Sequence, residues 1–199
     1  TKLTIGKKTY SSRSLMDYLE EQIKKAYFLP AEDPEKENAA DLMWYLWCGE
    51  RSPLCGRSIK TFERAFVNCP EAWQEPMNPY YRHINDEAVC RRILSAFGLD
   101  SPEAHIINGH TPIHVSSGES PVKANGRLIV IDGGFCKAYQ KATGIAGYTL
   151  ISNSHGLRIV AHQPFSSLTR VLDANDDIHS DSQILWQNRR RCLVADTDN

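Results

Sequence analysis

The fold of this 199-residue chain depends on residues 104–142, which read AHIINGHTPIHVSSGESPVKANGRLIVIDGGFCKAYQKA. Two short apolar runs lie within this stretch. The first ends at Asn108-Gly109-His110, and the second, residues 127–131, ends at Asp132-Gly133-Gly134. Apolar runs bounded by turn residues predict buried strands. Because α/β enzymes hold functional groups in loops at strand ends, we expect both turns to meet at one edge of a sheet and to carry the chemistry.

Helical spacing of apolar residues dominates the chain before this stretch. Residues 15–27 repeat apolar side chains at helical spacing after two serine hydroxyls, and residues 41–47 form a second, strongly apolar helical segment. For the aromatic residues of this second segment we favour core packing, with a sugar-stacking platform as the alternative. A short helix is expected over residues 61–67, and a further one should begin at Asn85 or Asp86 and end at Gly98.

The order of these elements predicts a mixed α/β fold, with a helical N-terminal half followed by a mixed β-sheet. Residues 153–156 separate two strand-like runs and predict a β-hairpin. The sheet is expected to contain the strands near Ile106, Ile129, Leu150 and Ile159. We divide the chain into a mostly helical segment packing on the sheet (1–100), a β-rich part (101–172) and a polar C-terminal tail (173–199).

Composition excludes several classes of function. Hydrophobic residues make up 41% of the chain, enough to bury a core, and the net charge of −1 gives no overall attraction to nucleic acid or to a membrane surface. No apolar run approaches the roughly 18 residues that a membrane span needs. The six cysteines form no CxxC pair, which is typical of reduced, mostly buried thiols in a cytoplasmic protein.

Two features near the strand ends offer chemistry. His110 directly follows a strand and a glycine, an arrangement that suits either a metal ligand or a hydrogen-bonded structural histidine. Residues 116–121 form a loop rich in backbone and hydroxyl donors, with Lys123 just beyond it. Such a loop can hold a phosphate or be an ordinary surface loop. The residue pattern alone leaves both pairs of alternatives open.

A series of longer motifs runs through the chain over roughly residues 41–165. They are DLMWYLWCG (41–49), SPLCG (52–56), TFER (61–64), NPYY (78–81), NGHTP (108–112), GESP (118–121), KANG (123–126), IDGGF (131–135), KAYQK (137–141), TGIAGYTL (143–150) and HQPF (162–165). In kind and in order, these motifs resemble those of the class III fructose-1,6-bisphosphatases of bacteria. So many long motifs in one order are not expected by chance.

The resemblance implies a metal site. The family is similar to the calcineurin-like metallophosphoesterases, whose two-metal sites combine several short motifs, the last of which is a Gly-His pair. Gly109-His110 looks like this last motif, so His110 would be a metal ligand, with manganese or magnesium as the metal. The motifs that contain Gly-Asp or Gly-Asn-His are absent from this sequence. We therefore expect a C-terminal portion of such an enzyme, inactive alone and without a catalytic residue of its own, whose site is completed by residues missing from this chain.

The resemblance also implies a fold and a substrate. The fold would be part of a metallophosphoesterase-type two-sheet sandwich flanked by helices. The reaction would hydrolyse the 1-phosphate of fructose 1,6-bisphosphate, giving fructose 6-phosphate and phosphate in gluconeogenesis. Because the metals occupy the reacting phosphate, the other phosphate needs cationic or polar side chains. The candidate substrate-binding residues are Lys123, Arg57, Arg51, Tyr139 and Lys141.

The expected partners are the sugar bisphosphate, the N-terminal part of the same enzyme and further copies of the chain in a homo-oligomer. Two alternative functions stay open. One is a metallophosphoesterase with another phosphoester substrate, such as a nucleotide or a phosphoprotein. The other is a non-catalytic regulatory or oligomerisation domain that shares this part of the fold.

Overall fold

The computed structural model describes residues 2–49, 52, 66–73, 78–165, 167–175 and 179–196. The chain divides into two units, Thr1–Arg82 with Ala96–Gly98 and His83–Ser95 with Leu99–Asn199. Both glycine-bearing turns belong to the second unit. Among the described residues, no helix combines the length and the apolar character needed to cross a lipid bilayer.

The first unit contains a β-hairpin followed by helices. Its main elements are β1 (Lys2–Ile5), β2 (Lys8–Ser11), α1 (Ser12–Phe28) and α2 (Pro34–Cys48). Pro30 ends α1, because the residue before a proline disfavours helical geometry, and Asp33 caps α2 by accepting a hydrogen bond from Glu35 N–H at 2.8 Å. Among the described residues, Leu3, Leu15, Leu19 and Leu46 form a hydrophobic core cluster of this unit. A 3₁₀ turn (Pro70–Trp73) and the short α3 (Pro79–His83) follow.

Helix α2 buries only one side of its aromatic segment. Leu46 is buried against α1, whereas Trp44 and Trp47 are 64% and 63% exposed, with their rings edge to face and 5.1 Å apart between centroids. Residues three apart on a helix share a face, while residues two apart point in nearly opposite directions. The interpretation of the segment as core is therefore correct for Leu46 and wrong for the two tryptophans.

The second unit contains two three-stranded sheets with helices between their strands. Its elements are α4 (Glu87–Ala96), β3 (Ile106–Asn108), β4 (Val122–Lys123), β5 (Leu128–Val130), α5 (Lys137–Thr143), β6 (Gly147–Asn153), β7 (Gly156–His162), α6 (Leu168–Ala174) and β8 (Ser180–Gln187). The first sheet has the order β3-β5-β4, with β3 parallel and β4 antiparallel to β5. The second is an antiparallel sheet of order β6-β7-β8. All three residues of β5 are buried, which makes this strand the centre of the unit.

The mixed α/β class and the β6–β7 hairpin are confirmed, but the strands do not form one sheet. The strands near Ile106 and Ile129 belong to the first sheet, and those near Leu150 and Ile159 belong to the second. β5 already has a partner on each edge, so the hairpin gains its third strand from β8 instead. β8 lies within the region that the sequence analysis assigned to a polar tail. The sequence does not predict this strand, because its mostly exposed residues lack the alternation of apolar and polar residues typical of a strand.

Helix α4 begins where the sequence places it, with Asp86 as the capping residue. Oδ1 of Asp86 accepts hydrogen bonds from the N–H groups of Ala88 at 2.9 Å and Val89 at 3.1 Å. Two amides that have no partner within the helix are thereby satisfied. Gly98 follows the helix with a φ of +76°, a left-handed conformation that glycine adopts without penalty.

Replacing Asp86 with alanine should destabilise the fold by about 1 kcal/mol, because both capped amides lose their acceptor. The measurement is the free energy of unfolding from urea denaturation at neutral pH. Asp86→Asn is the matched control, since its side-chain oxygen can still accept these bonds. Equal stability of the alanine and asparagine variants would show that the cap contributes nothing.

Candidate functional site

Parallel pairing of β3 and β5 brings the two glycine-bearing turns together. Both strands run in the same direction, so the turns that follow them leave the same edge of the sheet. The turns are also hydrogen bonded to one another. Ile131 N–H donates to the carbonyl of Asn108 at 2.9 Å, and Ile113 N–H donates to the carbonyl of Asp132 at 2.8 Å. The prediction that both turns meet at one sheet edge is confirmed.

His110 lies in the first turn with a backbone conformation that few non-glycine residues adopt. Its φ is +70°, in the left-handed region, and its side chain is exposed. This conformation costs an L-residue about 1 kcal/mol and persists where the surrounding structure imposes it. Such an outlier in an exposed turn supports a functional role for the side chain.

The second turn is shaped by Asp132 and the two glycines after it. Oδ1 of Asp132 accepts a hydrogen bond from Gly134 N–H at 2.8 Å, and Gly134 has a φ of +72°. A Cβ on Gly133 would lie 2.7 Å from the Cα of Gly147, at the start of β6. Gly134 is thus required by its backbone conformation, and Gly133 by the close approach of β6. Together these constraints define the shape of the second turn.

One imidazole at this edge does not form a complete metal site. In the part of the chain that the structure describes, no three His, Cys, Asp or Glu side chains are grouped so as to hold an ion. Another histidine of the unit, His162, is engaged by the hydroxyls of Thr149 at 2.8 Å and Ser180 at 3.0 Å. The metal-binding role of His110 therefore stays a prediction.

Lys123 takes part in a partly buried ion pair. Its side chain is 7% exposed, and Nζ donates to Oε1 of Glu119 at 2.7 Å. Oε2 of Glu119 accepts a hydrogen bond from the backbone N–H of His114 at 3.0 Å. The ammonium of Lys123 is thus already paired with a carboxylate and largely shielded from water. Substrate binding by Lys123 therefore stays a prediction.

The ionisation of Glu119 is set by opposing effects. Burial favours the neutral acid, but the hydrogen bonds from His114 and Lys123 and the positive charge of Lys123 outweigh it and hold the pKa of Glu119 below its ordinary range. Burial, together with the negative charge of Glu119, raises the pKa of Tyr148. The carboxylate, the ammonium and the neutral phenol thus form one electrostatic cluster.

The loop over residues 114–123 is fastened by its own hydroxyl groups. Ser117 Oγ donates to the carbonyl of His114 at 2.9 Å, and Ser116 Oγ donates to the carbonyl of Ala142 at 2.7 Å, near the end of α5. These bonds hold the loop beside the turns. They also engage the two hydroxyls in local structure, which favours the interpretation of an ordinary surface loop over that of a phosphate-binding loop.

Helix α5 lies against the second turn and places one of its two candidate residues there. A Cβ on Gly134 would lie 2.8 Å from the Cβ of Tyr139, so Tyr139 is adjacent to the turn. Lys141 is two residues further along the helix, roughly 200° around its axis, and projects from the other side. Arg51 and Arg57 lie outside the described residues. The roles of all four in substrate binding stay predictions.

Sequence reasoning missed Glu119 as the partner of Lys123. The two residues are four apart, but this spacing predicts a contact only within a helix, and the stretch between them is not a continuous helix. Tyr148 comes from a different strand, and no sequence signal connects it to the pair. The cluster is visible only in the folded chain.

Comparisons with known proteins cover the whole chain. The sequence model of the family described as Firmicute fructose-1,6-bisphosphatase matches residues 1–199. A Clostridium botulinum protein named fructose-1,6-bisphosphatase class 3 is 48% identical over 198 residues, which are 99% of this chain and 30% of that protein. A Porphyromonas gingivalis protein of the same name is 47% identical over 199 residues, which are 100% of this chain and 30% of that protein. No solved structure matches the chain.

The chain therefore spans about 30% of the length of the curated relatives that it matches. The resemblance found in the motifs is confirmed, and it extends beyond them to both units. The chain belongs to the Firmicute fructose-1,6-bisphosphatase family.

Proposed function

We propose that this chain is the C-terminal portion of a metal-dependent, cytoplasmic fructose-1,6-bisphosphatase of gluconeogenesis. The complete enzyme would hydrolyse the 1-phosphate of fructose 1,6-bisphosphate to give fructose 6-phosphate and phosphate. The observation that carries this proposal is the 48% identity to a class 3 fructose-1,6-bisphosphatase over 99% of the chain. Identity of this extent covers both turns and their supporting strands, not a single motif.

His110 is proposed as one ligand of a two-metal site for manganese or magnesium. Its exposed ring, its left-handed backbone and its place at the sheet edge support this role. When bound, two metal ions would orient a nucleophilic water and neutralise charge on the phosphoryl oxygens. The contribution of this chain is to hold the His110 turn rigidly through β3, β5 and the Asp132 turn. The remaining ligands would come from the rest of the longer protein.

The metallophosphoesterase-type two-sheet sandwich is likewise a proposal. Two sheets within one unit are compatible with it, and among the described residues β3 has a neighbouring strand on one side only. Ile107, in the middle of β3, is exposed. An edge strand with an exposed apolar residue can be extended by strands from another part of the protein. For the substrate, Tyr139 lies against the second turn, while Lys123, Lys141, Arg51 and Arg57 are proposed from the family resemblance alone.

The test is phosphate release from fructose 1,6-bisphosphate, with manganese, by the product of the complete reading frame that contains this chain. Robust turnover is expected from that protein, and none above background from residues 1–199 alone, because one imidazole cannot hold two metal ions. Turnover by the complete protein of a nucleotide or a phosphoprotein, and not of the sugar bisphosphate, would overturn the substrate assignment. Appreciable turnover by this chain alone would overturn the assignment of a divided metal site.

We also propose that the exposed face of α2 docks on the N-terminal part of the same enzyme. Trp44 and Trp47 form a large apolar patch, and more than two thirds of the length of the relatives lies outside the region matched by this chain. Exposed aromatic patches are characteristic of interfaces, where tryptophan is enriched among the residues that contribute most to binding.

Replacing both Trp44 and Trp47 with serine should lower the amount of the remaining part of the enzyme that co-purifies with this chain by about tenfold. The two parts would be co-expressed, with a tag on this chain only. The matched control is Tyr27→Ser with Phe28→Ser, which removes another exposed aromatic pair from the same unit. An equal loss in both variants would indicate unspecific apolar adhesion. If the tryptophan variant lost only its self-association, measured by light scattering, and still retained the rest of the enzyme, the face would be an interface between copies of this chain.

A further inference from the structure

A cleft of about 280 Å³ lies between the C-terminal half of α4, the segment after it and the start of β5. Its volume is slightly below the range of drug-sized ligand pockets, which suits a small ligand. The lining residues are Arg91, Arg92, Leu94, Ser95, Leu99, Asp100, Ser101 and Arg127. Three arginines and one aspartate therefore line a small space.

The negative charge near these arginines is limited. Arg91 Nη2 and Nε contact Oε1 of Glu87 at 2.6 and 2.8 Å, and Arg127 Nε lies 4.0 Å from the same oxygen. The other oxygen of Glu87 accepts a hydrogen bond from Asn125 at 2.8 Å. One carboxylate is thus shared by two arginines. Within the described part of the chain, no ion-pair partner is found for Arg92.

Arg127 is held in place mainly by groups that carry no charge. Its side chain is 13% exposed, and Nη1 donates to the carbonyl oxygens of Pro102 and Ala104. These carbonyls satisfy N–H donors and fix the plane of the guanidinium, but they do not neutralise it. A largely buried positive charge is costly unless a counterion compensates it. The geometry leaves Nη2 without a hydrogen bond to the described residues.

We propose that this cleft binds the phosphate group of a small molecule. Arginine presents N–H donors in a planar fork that matches phosphate oxygens, and three arginines and two serines line this one space. Three guanidiniums against the carboxylates of Asp100 and Glu87 leave one net positive charge around the cleft. This charge is opposite in sign to that of a phosphate.

This site is separate from the turns proposed for catalysis. Arg127 precedes β5, and Asp132 follows it at the opposite end of the strand. Five residues of extended chain rise about 3.3 Å each, which puts the two positions roughly 16 Å apart. A phosphate in the cleft is therefore not the one that would be hydrolysed, so the inference does not depend on the proposed reaction.

The experiment measures binding of radiolabelled inorganic phosphate to the full-length protein by equilibrium dialysis, with metals removed by a chelator. Chelation suppresses binding at a metal site, so the result is independent of phosphatase activity. Saturable binding of one phosphate per chain is expected. The double variant Arg91→Gln with Arg92→Gln should weaken it by about tenfold or more, and Glu87→Gln should strengthen it, since the competing carboxylate is lost.

The matched control is Arg158→Gln with Arg189→Gln, which removes two exposed guanidiniums of the same unit that do not line the cleft. Its affinity should stay within about twofold of the unaltered protein. The proposal is overturned by the absence of saturable binding, by an unchanged affinity in the Arg91 and Arg92 variant, or by an equal loss in the control. Equal competition by chloride at matched ionic strength would also overturn it, since it would indicate a general salt effect.

Discussion

Replacing His110 with glycine should lower the turnover of the complete enzyme by at least about 100-fold without destabilising the fold. Loss of the imidazole removes a proposed metal ligand. The backbone, however, has a φ of +70°, which glycine adopts without the penalty that histidine incurs. This gain is offset by the greater flexibility of glycine in the unfolded chain, so the melting temperature should change little. The measurements are phosphate release with saturating manganese and thermal unfolding of the same preparation.

The separation of activity from stability is what identifies a functional histidine. His110→Ala should lose turnover equally, while keeping the backbone strain that the glycine variant relieves. His155→Ala is the control, because His155 is exposed in the turn between β6 and β7. Turnover near that of the unaltered enzyme in the glycine variant would rule out His110 as a ligand. A joint fall in stability and activity would indicate a structural role.

Replacing Glu119 with glutamine should destabilise the fold by about 3 kcal/mol, the largest stability effect that we expect. The variant leaves the ammonium of Lys123 in a site where its side chain is only 7% exposed, without its carboxylate partner. Removing the other partner, by Lys123→Met, should destabilise the fold less, by about 1 kcal/mol. Glu119 is then still hydrogen bonded by His114 N–H, and one third of its side chain is accessible to water. The measurement is urea denaturation of each variant at neutral pH.

The double variant with both changes completes the thermodynamic cycle. Its loss of stability should be clearly smaller than the sum of the two single losses, because neither charge is left buried alone. Additive losses would show that the two side chains do not interact appreciably. The Lys123→Met variant of the complete enzyme also tests the proposed substrate role: a raised KM for fructose 1,6-bisphosphate supports it, and an unchanged KM removes Lys123 from the substrate-binding residues.

The effect of Glu119→Gln should depend on pH in a defined direction. The pKa of Glu119 is lowered in the folded state, so its ionised form stabilises the fold at any pH above the pKa of an unfolded glutamate, about 4.3. This contribution is lost as the pH falls through the lower, folded-state pKa. The stability difference between the unaltered protein and Glu119→Gln should therefore be full at neutral pH and should shrink in acid. A constant difference across this range would contradict the assignment of Glu119 as the ionised partner.

The sequence by itself determined the elements whose signals are local. The cap at Asp86 specifies the start of α4, because the capping oxygen reaches amides two and three residues ahead. The turn at residues 153–156 defines the β6–β7 hairpin. The turn residues that follow two apolar runs, Asn108-Gly109 and Asp132-Gly133, predict the ends of β3 and β5. The motifs alone also identified the family.

Only the tertiary structure decided the features that join distant segments. β8 forms because β7 offers it an edge, and not because its own residues are buried. Trp44 is exposed because α1 covers the other face of α2, and Lys123 is buried because Glu119 compensates its charge. The cleft lined by Arg91, Arg92 and Arg127 forms only where α4 and the start of β5 lie side by side. Local propensity and turn chemistry act over a few residues, whereas burial and charge pairing depend on neighbours that only the folded chain supplies.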